Sequence, residues 1–342
     1  MPAAAAPRGR ARRWAMALLG IGVSVALLAW ALQGVELREV AAHIRAARVG
    51  PLLLAVAVAT STFVIRMVRW RLLLRRDDGS AVPWPALWHA VAIGFMANNT
   101  LPFRAGEFLR SYAAARLGGV RFTAAFSSVA VERVFDGIAV IALLVVGLAA
   151  AGLPSGVSVA GVSVAGAATT AAIVCALALA AAAAVVAFPL AAERVVRRVV
   201  PGHALAERIV AIIEGVRHGL MVLRSPSRIA AVAGWSAVLW LVNAASFWIG
   251  FAAFDLPVGF AGALLLQGLL VIGISVPSTP GFVGPFEAVI VAVLALYGIP
   301  KDPAFSYAIT YHAATFMPIV LLGIWSLART PIALSDARRS AG

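Results

Sequence analysis

Residues 83–110 read PWPALWHAVAIGFMANNTLPFRAGEFLR. The apolar piece at 86–97 is too short to cross a bilayer, whose hydrocarbon core of about 30 Å takes about 20 helical residues. It stops at Asn98, Asn99, Thr100, Leu101 and Pro102, and Arg104, Gly106, Glu107 and Arg110 follow at once. An apolar run of about 10–14 residues is more often re-entrant or interfacial than spanning. Backbone groups freed at an Asn-Asn…Pro break survive at membrane depth only where protein or water covers them. The stretch is therefore read as a helical hairpin that enters and leaves on one side. A second interruption lies near the other end of the chain. Residues 260–276 are apolar and break at Pro277, Ser278, Thr279, Pro280 and Gly281, with Gly284 and Pro285 close behind, and a short apolar arm resumes at 286–297.

The rest of the chain supplies the membrane context. Hydrophobic residues make up 62% of the 342 positions and charged residues 12%, with a mean hydropathy of +0.97. Soluble domains run at about 45–50% apolar and about 25% charged, so lipid must solvate part of this surface. Six runs are long enough to cross: 14–32, 51–68, 122–151, 167–188, 229–254 and 305–327. The formal charge of +14 comes from 28 Lys and Arg against 14 Asp and Glu. The cations cluster at the ends of apolar runs, as expected of cytoplasmic loops facing anionic head groups. The basic segment at 189–228 lacks stacking aromatics, so no nucleic-acid partner is expected. It reads instead as an amphipathic cytoplasmic helix, and 36–48 as a shorter one on the opposite interface.

These readings combine into an all-α polytopic membrane protein. It is a single domain over 1–342, with a basic cytoplasmic N-terminus at 1–13 and a cytoplasmic tail at 328–342. About six full spanning helices accompany two broken re-entrant hairpins. Side counting opens the first hairpin to the cytoplasm and the second to the outside, the pattern of an inverted repeat with a site where the hairpins meet. The apolar run after Arg8–Arg13 is longer than a signal-peptide core and reads as an uncleaved first span.

Three constellations carry candidate chemistry, because charge inside a membrane is costly and defaults to function. In the first, Asn98, Asn99, Pro102, Arg104, Gly106, Glu107 and Arg110 surround the first break. Exposed backbone N–H groups and bidentate arginines there suit a phosphate, while ordinary positive-inside arginines at a turn are the bland alternative. In the second, Glu132 and Asp136 share a helix face and repel unless a cation lies between them or one is protonated. Arg133, Arg66 or Arg69 can supply the cation, and the alternative role is a structural ion-pair network. The third comprises Pro277, Pro280, Gly281, Gly284 and Glu287 at the second break. Glu287 also suits a helix N-terminus. Tyr311 and His312 sit in the last span, where a lone histidine is more often a satisfied core residue than a ligand. The chain has no P-loop, G-x-S-x-G or H-E-x-x-H pattern, and its single cysteine, Cys175, precludes an internal disulfide.

Taken together, four ordered motifs resemble the transmembrane region of lysylphosphatidylglycerol synthases and related flippase-like integral membrane proteins. They are R-x-x-R-W (Arg66, Arg69, Trp70), N-x-x-x-P-x-R-x-G-E (Asn98, Pro102, Arg104, Gly106, Glu107), E-R-x-x-D (Glu132, Arg133, Asp136) and P-x-x-P-G-x-x-G-x-x-E (Pro277, Pro280, Gly281, Gly284, Glu287). The resemblance implies a lipid translocase of a bacterial inner membrane. Its substrate would be a phosphate-bearing lipid, such as a phospholipid or a polyprenyl-linked lipid. The synthases carry an additional acyltransferase-like domain, which the few residues after the last span do not provide, so no enzymatic activity and no cofactor or metal are expected. The partners expected are membrane lipids with anionic head groups, and self-association is compatible with the sequence. The alternative is a non-transporting scaffold or accessory subunit for a lipid-biosynthetic enzyme.

Overall fold

Apolar stretches bounded by charge or by Pro and Gly become helices, and the helix ends follow those boundaries. The computed structural model describes residues 8–101, 105–150, 188–200, 225–275 and 279–332, with isolated positions elsewhere between 158 and 210. Helix α1 (Arg8–Leu32) ends before Gly34, whose φ of +73° lets the chain turn by 81° into the amphipathic α2 (Leu37–Ala46). Then come α3 (Val49–Leu73), α4 (Trp84–Thr100), α5 (Gly106–Gly118) and α6 (Phe122–Ala150). After α6 a minimal antiparallel ladder pairs β1 (Ser158–Val159) with β2 (Val162–Ser163). The remaining helices described in full are α7 (Pro189–Val199), α8 (Pro226–Ala253), α9 (Phe260–Gly273), α10 (Pro285–Ala295) and α11 (Lys301–Ala328), with a 3₁₀ turn at Pro280–Phe282 before α10.

The chain is a helical polytopic membrane protein. Helices α3, α6, α8 and α11 are each long and apolar enough to span, and α1 with α2 makes a fifth crossing if the bent pair counts as one. The expected crossing at 167–188 lies outside the described residues apart from isolated positions. Of the basic segment at 189–228, α7 is described and is strongly amphipathic; Arg197 on it pairs with Glu207.

Both broken segments fold as antiparallel hairpins. In the first, Gly94 on α4 faces Arg110 on α5, and Gly106 lies against the Gly94 carbonyl and Asn98. A Cβ on Gly106 would stand 2.6 Å from the Asn98 backbone nitrogen, so only glycine allows the arms this close. In the second, Gly273 on α9 faces Val289 on α10, and Gly262 near the base of α9 faces Tyr297 just beyond α10.

Helix α11 shows how the two hairpins are arranged. Toward its C-terminal end it carries the first hairpin: the His89 and Trp325 rings lie 5.5 Å apart, and Gly323 receives Met96. Toward its N-terminal half it carries the second, through His312 and Glu287. Between them Phe316 covers Gly281, and a Cβ on Gly281 would reach to 3.5 Å from the Asn99 carbonyl oxygen. The hairpins therefore approach from opposite ends of α11 and meet tip to tip near its middle, close to Pro318, which lies within the helix. At the far end from the first hairpin, the α1–α2 corner is tied to α11 by Lys301 Nζ on the Gln33 carbonyl (2.9 Å) and by the Glu36 N–H on Asp302 Oδ1 (2.9 Å). Two apolar clusters flank the meeting point, one around Trp70, Leu87 and Ile93, the other around Phe251, Leu265 and Tyr307.

Candidate functional site

On α3, Arg66, Arg69, Trp70 and Leu73 fall at i, i+3, i+4 and i+7, a single helix face, and all four are buried. The sequence reading ended this span at Val68; the helix instead continues to Leu73 and draws its arginines inside. Arg69 is fully buried. Its guanidinium grips Asp136, with Nη2 at 3.2 Å from Oδ2, donates from Nη1 to Ser236 Oγ at 2.9 Å, and lies 3.2 Å from Glu132 Oε1. Arg110 from α5 donates both terminal nitrogens to Glu132, at 2.8 and 3.0 Å, and stacks 3.9 Å from the centre of the Trp70 ring. The Trp70 indole N–H donates to Ser128 Oγ at 2.8 Å. Arg133 contacts Glu132 (2.7 Å), Asp136 (3.3 Å) and, more loosely, Glu107 (3.7 Å).

The like-charged Glu132 and Asp136 are thus held by Arg69 and Arg133 between them, with Arg110 completing the network. Such buried pairs offset their desolvation through bidentate geometry and dense hydrogen bonding. The consequence for Arg110 departs from the sequence expectation. Both its terminal nitrogens pair with Glu132, because α5 packs its face onto α6, so it is a member of the ion-pair network.

Arg66 is different. It is 7% exposed, lies 4.5 Å from the Phe95 ring centre and 5.9 Å from that of Trp240, and makes no hydrogen bond or ion pair among the described residues. It lines two cavities at once. One, of about 450 Å³, is bounded by Asn98, Glu107, Arg133, Asp136 and Ser275; the other, of about 230 Å³, by Asn243, Gln267, Tyr311, His312 and Thr315. Arg66, Phe95, Asn99, Trp240, Val271, Ile274 and Phe282 form the wall common to both. The larger volume falls in the roughly 300–1,000 Å³ range of small-molecule sites.

The two hairpin turns are secured in parallel ways. Asn98 Oδ1 accepts the Gly106 N–H at 2.9 Å, and Glu287 Oε2 accepts the Gly284 N–H at 2.7 Å. In each case the anchored glycine opens the returning arm. Gly281 and Gly284 have φ of +77° and +98°, and Thr279 bonds Ser24 on α1 through its N–H (2.9 Å) and hydroxyl (3.1 Å). Glu287 Oε1 also meets His312 Nδ1 at 2.6 Å. Tyr311 lines the smaller cavity, but its hydroxyl is spent on Ser246 Oγ at 2.6 Å, which ties α11 to α8. Pro102, Arg104 and Pro277 lie outside the described residues; Pro280 begins the 3₁₀ turn of the second tip.

Residues 17–323 match the family described as the lysylphosphatidylglycerol synthase transmembrane region. The chain belongs to this family. Among curated proteins, none matches it. Membership places this lysylphosphatidylglycerol synthase-type transmembrane protein among membrane proteins concerned with lipids, and the described residues of the four motifs lie on the two hairpins and on the helices α3 and α6 beside them. Sequence reasoning passed over Phe95, Trp240, Asn243, Gln267 and Phe282. Gln267 carried a signal, as a single amide in the run LLLQGLL; the aromatic residues did not, because apolar side chains facing a cavity look the same as those facing lipid.

Proposed function

We propose that this protein is a lipid translocase that moves a phosphate-bearing lipid between leaflets of a bacterial inner membrane, with both termini cytoplasmic. The observation that carries the reading is the meeting of two opposed hairpins around a buried guanidinium, Arg66, that has no carboxylate partner among the described residues. A buried cation without a counter-charge is costly unless an anion completes it. The cavities on either side of it give a head group room to approach, while acyl chains stay in lipid. Broken helices that meet at mid-membrane are the architecture by which carriers expose one site to two sides. The neighbouring Arg69–Arg110–Arg133 network, already neutralised by carboxylates, holds the hairpin against the spanning helices and keeps Arg66 in place. No chemical step is assigned to the protein in this reading.

The test is movement of labelled lipid in proteoliposomes that contain a panel of anionic phospholipids and polyprenyl phosphates. Wild type is expected to exceed empty vesicles for at least one lipid, and Arg66→Gln to fall to the empty-vesicle rate while still melting as a folded protein. Equal rates for wild type and empty vesicles across the panel would remove the translocase reading. Stoichiometric co-purification of a lipid-modifying enzyme in that case would point to an accessory subunit instead.

A further inference from the structure

The two hairpin turns solve the same problem with different chemistry. Each returning arm begins at a glycine whose N–H needs an acceptor. In the first, the neutral amide of Asn98 accepts it at 2.9 Å; in the second, the carboxylate of Glu287 accepts it at 2.7 Å. An amide therefore suffices for the structural task. Glu287 exceeds that requirement, and so does its neighbour: His312 from α11 closes to 2.6 Å on the second carboxylate oxygen. Phe286 stacks on the imidazole at 4.1 Å and Phe316 meets its edge at 6.0 Å, so the ring is held in place.

With Nδ1–H donated to Glu287, Nε2 carries the lone pair. Among the described residues it has no hydrogen-bond partner, and His312 lines the smaller cavity. The charged and titratable groups around that cavity are few. Helix α3 contributes Arg66 and α11 contributes Tyr311; α8 and α9 contribute the neutral amides Asn243 and Gln267, and the first hairpin tip contributes Asn99. Helix α1 meets the second tip through Ser24, whose hydroxyl bonds Thr279 and whose backbone lies against Gly284, and neither contact brings a charge. Among the described residues, Arg66 is thus the charged side chain that lines the cavity together with His312.

We propose that the Glu287–His312 pair is a proton-binding site that couples lipid movement to a proton gradient. The inference rests on the translocase reading and extends it to the source of energy. With Glu287 ionised and His312 neutral, the pair adds one negative charge at the edge of the cavity that Arg66 lines, and this charge disfavours an incoming phosphate. One proton taken from water onto His312 Nε2 makes the pair a neutral imidazolium–carboxylate couple. The repulsion is then gone, Arg66 remains as the cation on the cavity wall, and the cavity accepts one monoanionic phosphate. Proton and phosphate enter together with no net charge, as a low-dielectric site requires. By linkage each raises the other's affinity by the same factor. On the far side the phosphate leaves, the proton returns to water, and the pair regains its negative charge.

The test uses the full chain in phosphatidylcholine vesicles with a trace of fluorescent phosphatidylglycerol, an internal pH dye, and an imposed pH gradient. At one proton per lipid, a gradient of about one unit should drive up to roughly tenfold asymmetry of the label, since each decade of proton activity carries a decade of ratio. A protonophore should abolish the asymmetry, and label movement in wild type should shift the internal dye. Glu287→Gln keeps an acceptor for the Gly284 N–H and so should fold; in it, and in His312→Gln, the label should distribute evenly whatever the gradient. Even distribution in wild type, at a rate above empty vesicles, would overturn the coupling and leave the translocase reading intact. So would a gradient response that survives in either folded variant. If phosphatidylglycerol does not move above empty vesicles, the same assay is run with the other labelled lipids of the panel, and stillness of all of them would take down both readings; the wild-type measurements decide the matter even if a variant does not fold.

Discussion

Arg66 and Arg69 are three residues apart on one helix face, yet their surroundings are opposite. Arg69 is matched by Glu132 and Asp136 and supported by Ser236, whereas Arg66 faces aromatic rings and cavity. Removing one member of a buried pair strands the other, at a cost of about 3–5 kcal/mol. Glu132→Gln and Arg69→Gln are accordingly expected to lower the melting temperature in detergent strongly. Arg66→Gln removes a charge without a partner and should change stability by less than about 1 kcal/mol, the net of relieved desolvation and a lost cation–π contact. A melting series over these three variants separates scaffold from site. Sequence spacing already placed Glu132 and Asp136 on one face, where either a cation between them or protonation of one relieves the repulsion. It left the identity of that cation open, because residues on a neighbouring helix have no fixed spacing to those on this one.

At the scale of single elements, both hairpins were legible from apolar runs too short to span and from the Asn, Pro and Gly residues at their breaks. The closeness of their arms was not, since it depends on which helix faces meet. Gly106 shows what that closeness requires. Gly106→Ala puts a methyl group 2.6 Å from Asn98 Oδ1 and the backbone nitrogen and should cost about 1–3 kcal/mol through overpacking. Gly284→Ala adds backbone strain, at φ +98°, to a collision with the Ser24 carbonyl, and should loosen the second tip. Gly22→Ala meets nothing within 4 Å and should be neutral, so it is the control in the same melting experiment. Asn98→Ala leaves the Gly106 N–H without its acceptor and should cost about 1–3 kcal/mol; Asn98→Asp, which keeps an acceptor oxygen, should recover part of the loss.

For the whole molecule, the crossing pattern follows from apolar length and charge, and the helices α3, α6, α8 and α11 fall where those runs lie. Less legible was the corner between α1 and α2, because a turn of 81° at Gly34 is set by backbone conformation rather than by hydropathy. The opposed hairpins make a topological prediction. Ser80 lies at the base of the first and Gly259 at the base of the second, and both are exposed. In a Cys175→Ser background, Ser80→Cys and Gly259→Cys should react with a membrane-impermeant maleimide from opposite faces of the membrane. Labelling of both from one face would contradict the opposed arrangement. Pro318 gives α11 a mechanical property of its own. Lacking an amide proton, it cannot complete the rung back to Ala314, so the rod that both hairpins grip is weakest between their grips. Each half can tilt with its own hairpin while the other stays seated, and a single pivot of this kind permits one mouth to widen as the opposite one shuts.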